Sequence, residues 1–518
     1  MNPNLPNSYA LNWASSSALN GTPGGPNSSA QTNIAPVITG VKHVPAIPKP
    51  TDVVTISARI IDEHTNGLTV ALYYRNASSL TPPAFCRLPM VDDGAHNDGL
   101  AADGIYAAIV PAQPNNTVIE FYLQATDLEG HVRIYPNVIP PTNSLRTANL
   151  LYQVDGSVYN GSQPIFRLIM TEMERQQVYL NGRGCPASDS DANMNATFIT
   201  VDGIVSGGTT MQVRYNTDVR NRGHGTRTSN PNNYHVNIPS DRKWKGLSGV
   251  NLNSQYAFSQ ALGSAVFRKL EIPMAESRDV QVAVNGTNLM SLSGLPDNNS
   301  FSSYAANEQY NSDFISRAFP LDSEGNSYRG IRQDALCDPT YNTNVADLTW
   351  HGANFAAAVY TNAYFKQKNT LQNDWSDLID LLAVLNSTNG YQASNYVTDV
   401  QHRINVDEWM RYMAVNTLLD NDETCLANGV GNDYALYRDT NDTRFLALPY
   451  NNDTLMGHGL TPIPPLHSIF RMNALSAMDR FMKTPQFAPL YYYWLQNYAT
   501  NAFASGTMNP LLDQLFKT

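Results

Sequence analysis

The period of the apolar residues changes part-way along the chain, and this limits the possible folds more than any other feature. Residues 33–142 carry short runs such as VVTISARIID, LTVALYYR, IYAAIV, VIEFYLQATD and HVRIYP. These are rich in β-branched and aromatic residues and separated by turn residues, the pattern of an all-β sandwich. A proline-rich stretch, PNVIPPTNS, then intervenes at 136–144. Further strands follow in IFRLIM, ATFITVDG, TTMQVRYNTDVRNRG, YHVNIP and LSGVNLN. The second half turns helical in DWSDLIDLLAVLN, VDEWMRYMAVNTLL, LHSIFRMNALSAMDRFM and PLYYYWLQNYATNAF. Strands first and helices later predict an α+β domain behind the sandwich. The expected divisions are an extended tail over 1–32, a β-sandwich over 33–142, a linker over 143–164 and the α+β domain over 165–518. The last segment, MNPLLDQLFKT, reads as a helix that either continues in a longer parent chain or stops there.

Local signals sharpen this division. Thr171 and Glu174 have the spacing of a capping box and start a helix at TEMERQQVYL. Asn405 and Glu408 repeat that signal before VDEWMRYMAVNTLL, and YAFSQALGSAVFRKLE reads as a helix over 256–271. Asn285-Gly286 between QVAV and TNLMSL predicts a tight hairpin.

Composition excludes several functions. With 518 residues, more than one domain is expected. A net charge of −11 and no Lys/Arg cluster argue against a nucleic-acid partner. No apolar run approaches the ~18 residues a spanning helix requires, so no membrane span is expected in this chain. Only 15% of residues are charged, and Asn, Ser and Thr carry much of the polarity. That balance suits a protein exported from a bacterium to the cell surface or beyond. MNPNLPNSYALNW lacks the basic and apolar regions of a signal peptide, so a signal is expected upstream. Cys86, Cys185, Cys337 and Cys425 form no CxxC, which argues against structural zinc. Two disulfides, or free and mostly buried thiols, both fit.

Two acidic loops carry the main candidate chemistry. Asp420, Asp422 and Glu423 follow the helix ending in NTLL, and Asp433 precedes the strand YALYRD. Asn451 and Asp453 follow the strand RFLALP. Oxygen ligands without His or Cys suit Mg²⁺ or Ca²⁺. Polar turns capping a hairpin explain the same residues equally well. In VRNRGHGTR, Arg220 and Arg222 share one face of a strand, and Gly223 and Gly225 permit a tight, anion-binding turn beside His224. Salt-bridged arginines at a hairpin end are the simpler reading. His402, His458 and His467 have no ligand spacing. Asp92, Asp93, Asp98 and Asp103 alternate with glycines in DDGAHNDGLAADG. Calcium is one reading of that loop, and a solvated Asp-Gly turn without metal is the simpler one.

In this order the motifs resemble the CotH (spore-coat protein H) kinase-like family, from about residue 165 to the end. Arg220, Arg222 and Gly223 match its RxRG strand, AVNGTNLM its NG hairpin, and INVDEWMRYMAVNTLL its long helix. DNDET, DYALYRD and LPYNNDTLMG match the acidic loop, the strand and the "PWDLD..fG" turn that follow. The preceding β-region resembles the Ig-like modules of large exported proteins, and SYALNWASSSALNGTPGGPN the end of a lamin-tail-like domain. The resemblance implies an atypical protein-kinase-like, two-lobed domain with Mg²⁺ and ATP in its cleft. It implies catalytic or metal roles for Glu423 and Asp453, metal contacts from Asp433 and Asn451, and nucleotide contacts from Arg220, Arg222 and Asn233. Asn451 stands where the family has Asp, Asp433 where it has Asn, and Asn233 near its Lys. These changes remove a carboxylate from the cation and a point charge from the phosphates, so reduced or lost activity is expected. The rival reading is a non-catalytic structural or adhesive surface protein. Its partner would be a protein, a surface polymer or further copies of itself.

Overall fold

The computed structural model describes residues 14–516 except 137–147, 158, 160, 181–189, 203–209, 224–226, 228, 292–302, 332–345, 354–357, 388–392, 430–431 and 458–467. The described fold is mixed α/β, with strands concentrated in the N-terminal half and most helix in the C-terminal half.

Strands β1 (Val37–Val44), β2 (Val54–Ile61), β3 (Thr69–Asn76), β4 (Cys86–Met90), β5 (Ile105–Val110), β6 (Val118–Thr126), β7 (Val132–Tyr135) and β8 (Leu150–Gln153) come first. They form two antiparallel sheets, β1-β2-β5 and β4-β3-β6-β7, with β8 also paired to β6. Ile56 and Ile60 of the first sheet share one apolar cluster with Leu72, Phe121 and Leu123 of the second. Cys86 at the start of β4 is a free thiol and is exposed rather than buried. Cys185 and Cys337 lie outside the described residues.

Next come β9 (Ile165–Ile169), α1 (Glu172–Leu180), β10 (Met194–Val201), β11 (Met211–Asn221), β12 (Tyr234–Asn237), β13 (Gly249–Asn253), α2 (Ala257–Lys269), β14 (Ser277–Val284), β15 (Thr287–Asn288) and β16 (Tyr304–Glu308). The sheet runs β15-β14-β16-β13-β12-β11-β10-β9, and β14 also pairs in parallel with β9. The last pairing closes β14 through β9 into a ring and leaves only the two-residue β15 as an outer strand. Phe166, Phe198 and Trp244 pack edge-on among Val219, Val236, Val250 and Val282 in the core of this ring. The capping box forms: Thr171 Oγ1 donates to Glu174 Oε2 (2.8 Å), and Glu174 N donates to Thr171 Oγ1 (3.2 Å). Asn285 and Gly286 turn the β14–β15 hairpin with φ of 45° and 80°, as an Asn-Gly turn requires.

The two β-regions share a packed seam. β8, which falls in the span expected to be a linker, is buried along its whole length. Leu151 joins Ala77, Val118, Ile169 and Ile199 in one cluster. Arg167 of β9 forms a buried ion pair with Asp155, and Tyr215 of β11 bonds to the buried His43.

The remaining elements are α3 (Ser312–Ala318), β17 (Asn326–Gly330), α4 (Ala358–Thr361), β18 (Tyr364–Lys366), α5 (Ser376–Leu385), α6 (Ala393–Arg403), α7 (Val406–Leu418), α8 (Cys425–Asn428), β19 (Tyr434–Arg438), β20 (Phe445–Pro449), α9 (Ser476–Lys483), α10 (Ala488–Asn497) and α11 (Ser505–Phe516). Strands β18-β17-β19-β20 make a four-stranded antiparallel sheet. Its helical surround packs around Trp409, Met413, Leu382 and Phe481. Asn405 caps α7 by accepting from Glu408 N (3.3 Å). The helix expected across LHSIFRMNALSAMDRFM begins only at Ser476, behind a turn at 469–472. No helix among the described residues is long and apolar enough to cross a membrane.

Candidate functional site

One end of the four-stranded sheet gathers most of the expected site residues. β19 begins there and β20 ends there, with Tyr434 opposite Pro449. Asp433 therefore stands beside the turn carrying Asn451 and Asp453. The loop after α7 is stitched to that turn: Asp422 N donates to Thr454 O (3.1 Å) and Met456 N to Leu419 O (2.8 Å). Asn421 fixes the loop internally, accepting from Glu423 N (3.0 Å) and donating to Asn416 Oδ1 (2.9 Å). These bonds bring Glu423 to the same spot.

Glu423 lies close enough to Asp433 and Asp453 for the three carboxyl groups to act on one another. Like charges brought together in this way favour a shared proton over full ionisation. Desolvation raises the Glu423 carboxyl above its ordinary range, and the charges of Asp453 and Asp433 raise it further. Asp433 is raised by desolvation and then by Asp453, against the opposing charges of Arg329 and Arg222. Asp453 is raised by desolvation, against the opposing effect of the Asn451 side chain. A neutral amide beside Asp453 favours its ionised form, where an aspartate would oppose it.

Arg222 lies near this cluster. Its Nη1 donates to Asn253 Oδ1, and its charge acts on Asp453 and Asp433. Desolvation lowers its guanidinium from the usual value, with Arg329 adding to the effect. Arg220 takes a different path: its Nη1 meets Asp191 at 2.9 Å, and Arg227 meets the same carboxylate at 2.5 Å. Asn233 is buried and accepts from Ser254 N (2.6 Å) and Ser254 Oγ (3.0 Å), which pins the segment after β13. Asp420 and Asp422 are both paired to Arg471, the first at 2.9 Å. His224, Gly225, His458 and His467 lie outside the described residues, and His402 is exposed on α6.

Sequence reasoning missed two members of this site. Arg329 of β17, opposite Ala435 of β19, donates from Nη1 to Tyr450 Oη (2.6 Å) and lies 4.8 Å from the Tyr450 ring centroid. Tyr450 was in view beside Asn451. Arg329 gave no signal, because its relevance depends on a partner 121 positions away.

The acid cluster suits a hard divalent cation in donor chemistry. Three carboxylates face two arginines, and Asp453 Oδ1 is buried without a hydrogen-bond partner. Their arrangement is less suited. Among the described residues no group of three or more His, Cys, Asp or Glu side chains is disposed to hold a metal ion. Beside the cluster, Arg222, Asn253, Gln260, Tyr450 and Asn451 line a cavity of only about 40 Å³.

The Asp-Gly loop satisfies its own carboxylates. Asp98 Oδ2 accepts from Asp93 N (2.8 Å) and Gly94 N (2.9 Å). Asp92 Oδ2 accepts from Gly104 N (2.8 Å), Asp103 Oδ1 from Ile105 N (2.9 Å), and Asp93 Oδ1 from Ala95 N (2.9 Å). The loop is tied by its own amides, as turn carboxylates commonly are.

A family model described as CotH kinase protein matches residues 219–518. That span holds the acid cluster, Arg222 and Arg329, and exceeds half of the chain. The chain belongs to the CotH kinase protein family. No curated protein matches it.

Proposed function

We propose that this chain is an exported CotH-family protein whose kinase-like site takes a divalent cation with a nucleoside triphosphate and transfers the phosphoryl group slowly to a protein acceptor. The observation that carries this reading is the convergence of Glu423, Asp433 and Asp453 opposite Arg222 and Arg329. Phosphoryl transfer depends mainly on positioning and charge neutralisation, and these are the charges it uses. Glu423, Asp433 and Asp453 would hold the cation, with the Asn451 side chain beside them. The bound cation would supply charge neutralisation at the phosphates. Arg222 would meet phosphate oxygens, and Glu423 and Asp453, ionised once the cation is bound, would accept the acceptor hydroxyl's proton. Arg220 contributes only to the charge around the strand. The low rate follows from Asn451, a neutral amide at a position that the family resemblance gives to a carboxylate. The ring-forming sheet and the helical part would act as two lobes, with the N-terminal sandwich as a fixed Ig-like module. The test is labelled-phosphate transfer from Mg·ATP to the chain or a generic protein acceptor, lost in Glu423→Ala and Asp453→Ala. No transfer by the wild type would sink the catalytic part of the reading.

One observation favours a second reading. Asn233 is committed to Ser254, and Arg222 is committed to Asn253. In that case the kinase-like fold is a scaffold in a non-catalytic structural or adhesive surface protein. Self-association or polymer binding unchanged by Glu423→Ala and Asp453→Ala, with no nucleotide binding, would favour it over the first.

A further inference from the structure

The lysine that the resemblance leads one to expect near position 233 is replaced by a neutral amide turned toward Ser254. Arg222, the neighbouring cation, already spends one donor on Asn253. A triphosphate entering the site therefore lacks a second positive partner on the ring-forming sheet.

The four-stranded sheet supplies one. Arg329 lies on β17 at the sheet end where Asp433 and Asn451 converge, and its charge acts on both Asp433 and Arg222. Tyr450 holds it at two points, by the 2.6 Å bond to Nη1 and by the ring face 4.8 Å from the guanidinium carbon. The exposed Phe365 ring lies 5.9 Å from that carbon on β18. Among the described residues no carboxylate forms an ion pair with Arg329. A guanidinium carries five N–H donors, so most remain available in a planar fork that fits phosphate oxygens. An arginine fixed by a hydroxyl and a ring face loses little side-chain freedom when an anion arrives.

We propose that Arg329, positioned by Tyr450, is the second phosphate-binding cation of this site, beside Arg222, and replaces from β17 the charge absent at Asn233. This rests on the reading above that the site takes a nucleoside triphosphate. Tyr450 acts through Arg329 and is a positioning residue.

The test is calorimetric titration of the full chain with ATP and with adenosine, each in Mg²⁺. Wild type is compared with Arg329→Met, Arg329→Lys and Tyr450→Phe. Wild type should prefer ATP over adenosine. Arg329→Met should lose roughly 10- to 100-fold in ATP affinity, the range of a charged hydrogen-bonding partner, with adenosine affinity unchanged. Arg329→Lys should recover part of the loss, and Tyr450→Phe should show a smaller loss confined to ATP. A purely structural role for Arg329 would lower both affinities together, and that outcome overturns the proposal. ATP binding to Arg329→Met at wild-type strength also overturns it while leaving the nucleotide reading intact. ATP failing to bind wild type overturns the nucleotide reading and this proposal with it.

Discussion

A Cβ placed on Gly263 of α2 would stand 2.7 Å from both Cβ and Cγ of Asn452. The helix on the ring-forming sheet thus rests directly on the turn that carries Asn451 and Asp453. Any other residue at 263 would push that turn away from Glu423.

Gly263→Ala tests this contact. Alanine gains up to about 1 kcal/mol of helix propensity, but overpacking a buried, hydrogen-bonded neighbour costs about 1–3 kcal/mol. A net loss of about 1–2 kcal/mol should appear in urea denaturation. An unchanged or raised stability would show that α2 does not press on the turn.

Asn451→Asp tests the neutral amide beside Asp453. The substitution adds a fourth carboxylate to the cluster, so the metal-free chain should lose about 1–2 kcal/mol through like-charge repulsion. Millimolar Mg²⁺ should recover more melting temperature in this variant than in wild type, because the added charge strengthens cation binding. Equal Mg²⁺ responses in the two proteins would refute the role assigned to Asn451.

Glu408 gives a pH dependence separate from the site. It is buried on α7, accepts from Ala447 N (3.0 Å) through Oε2, and leaves Oε1 without a partner. Burial pushes its carboxyl from 4.5 up to about 8, against the amide of Ala447 and the charge of Arg411. A carboxyl raised on folding binds more protons in the folded state. Its contribution is complete below pH 4.5 and is lost as pH climbs through about 8. Denaturation midpoints should fall between pH 6 and pH 8.5 in wild type, and less steeply in Glu408→Gln. Identical slopes would contradict a protonated Glu408 in the fold.

Arg471→Ala separates structural acids from site acids. Arg471 neutralises Asp420 and Asp422 just ahead of Glu423. Removing it takes an ion-pair partner from two partly buried carboxylates, a loss of about 1–3 kcal/mol by thermal or urea denaturation. Stability within about 0.5 kcal/mol of wild type would mean that the three groups are solvated independently.

Features set by near neighbours in sequence were readable before the fold was known. The Thr171–Glu174 box, the Asn405 cap, the Asn285-Gly286 turn and the alternating strands all depend on a few adjacent side chains. Ring closure depends on β9 meeting β14 in parallel, and no local pattern encodes that pairing. β8 was hidden because LLYQ is short and buried on both faces, so it shows no alternation. At the site, Asp420, Asp422 and Glu423 look alike in DNDET. Only Arg471, which claims the first two, and Asn421, which anchors the third, tell them apart.

The most direct measurement is the melting temperature of the full chain with and without Mg·ATP, in wild type, Glu423→Ala and Asp453→Ala. A site that takes cation and nucleotide through the acid cluster predicts a rise of several degrees in wild type at saturating ligand, and no rise in either variant. No rise in wild type, or an equal rise in all three proteins, would contradict it.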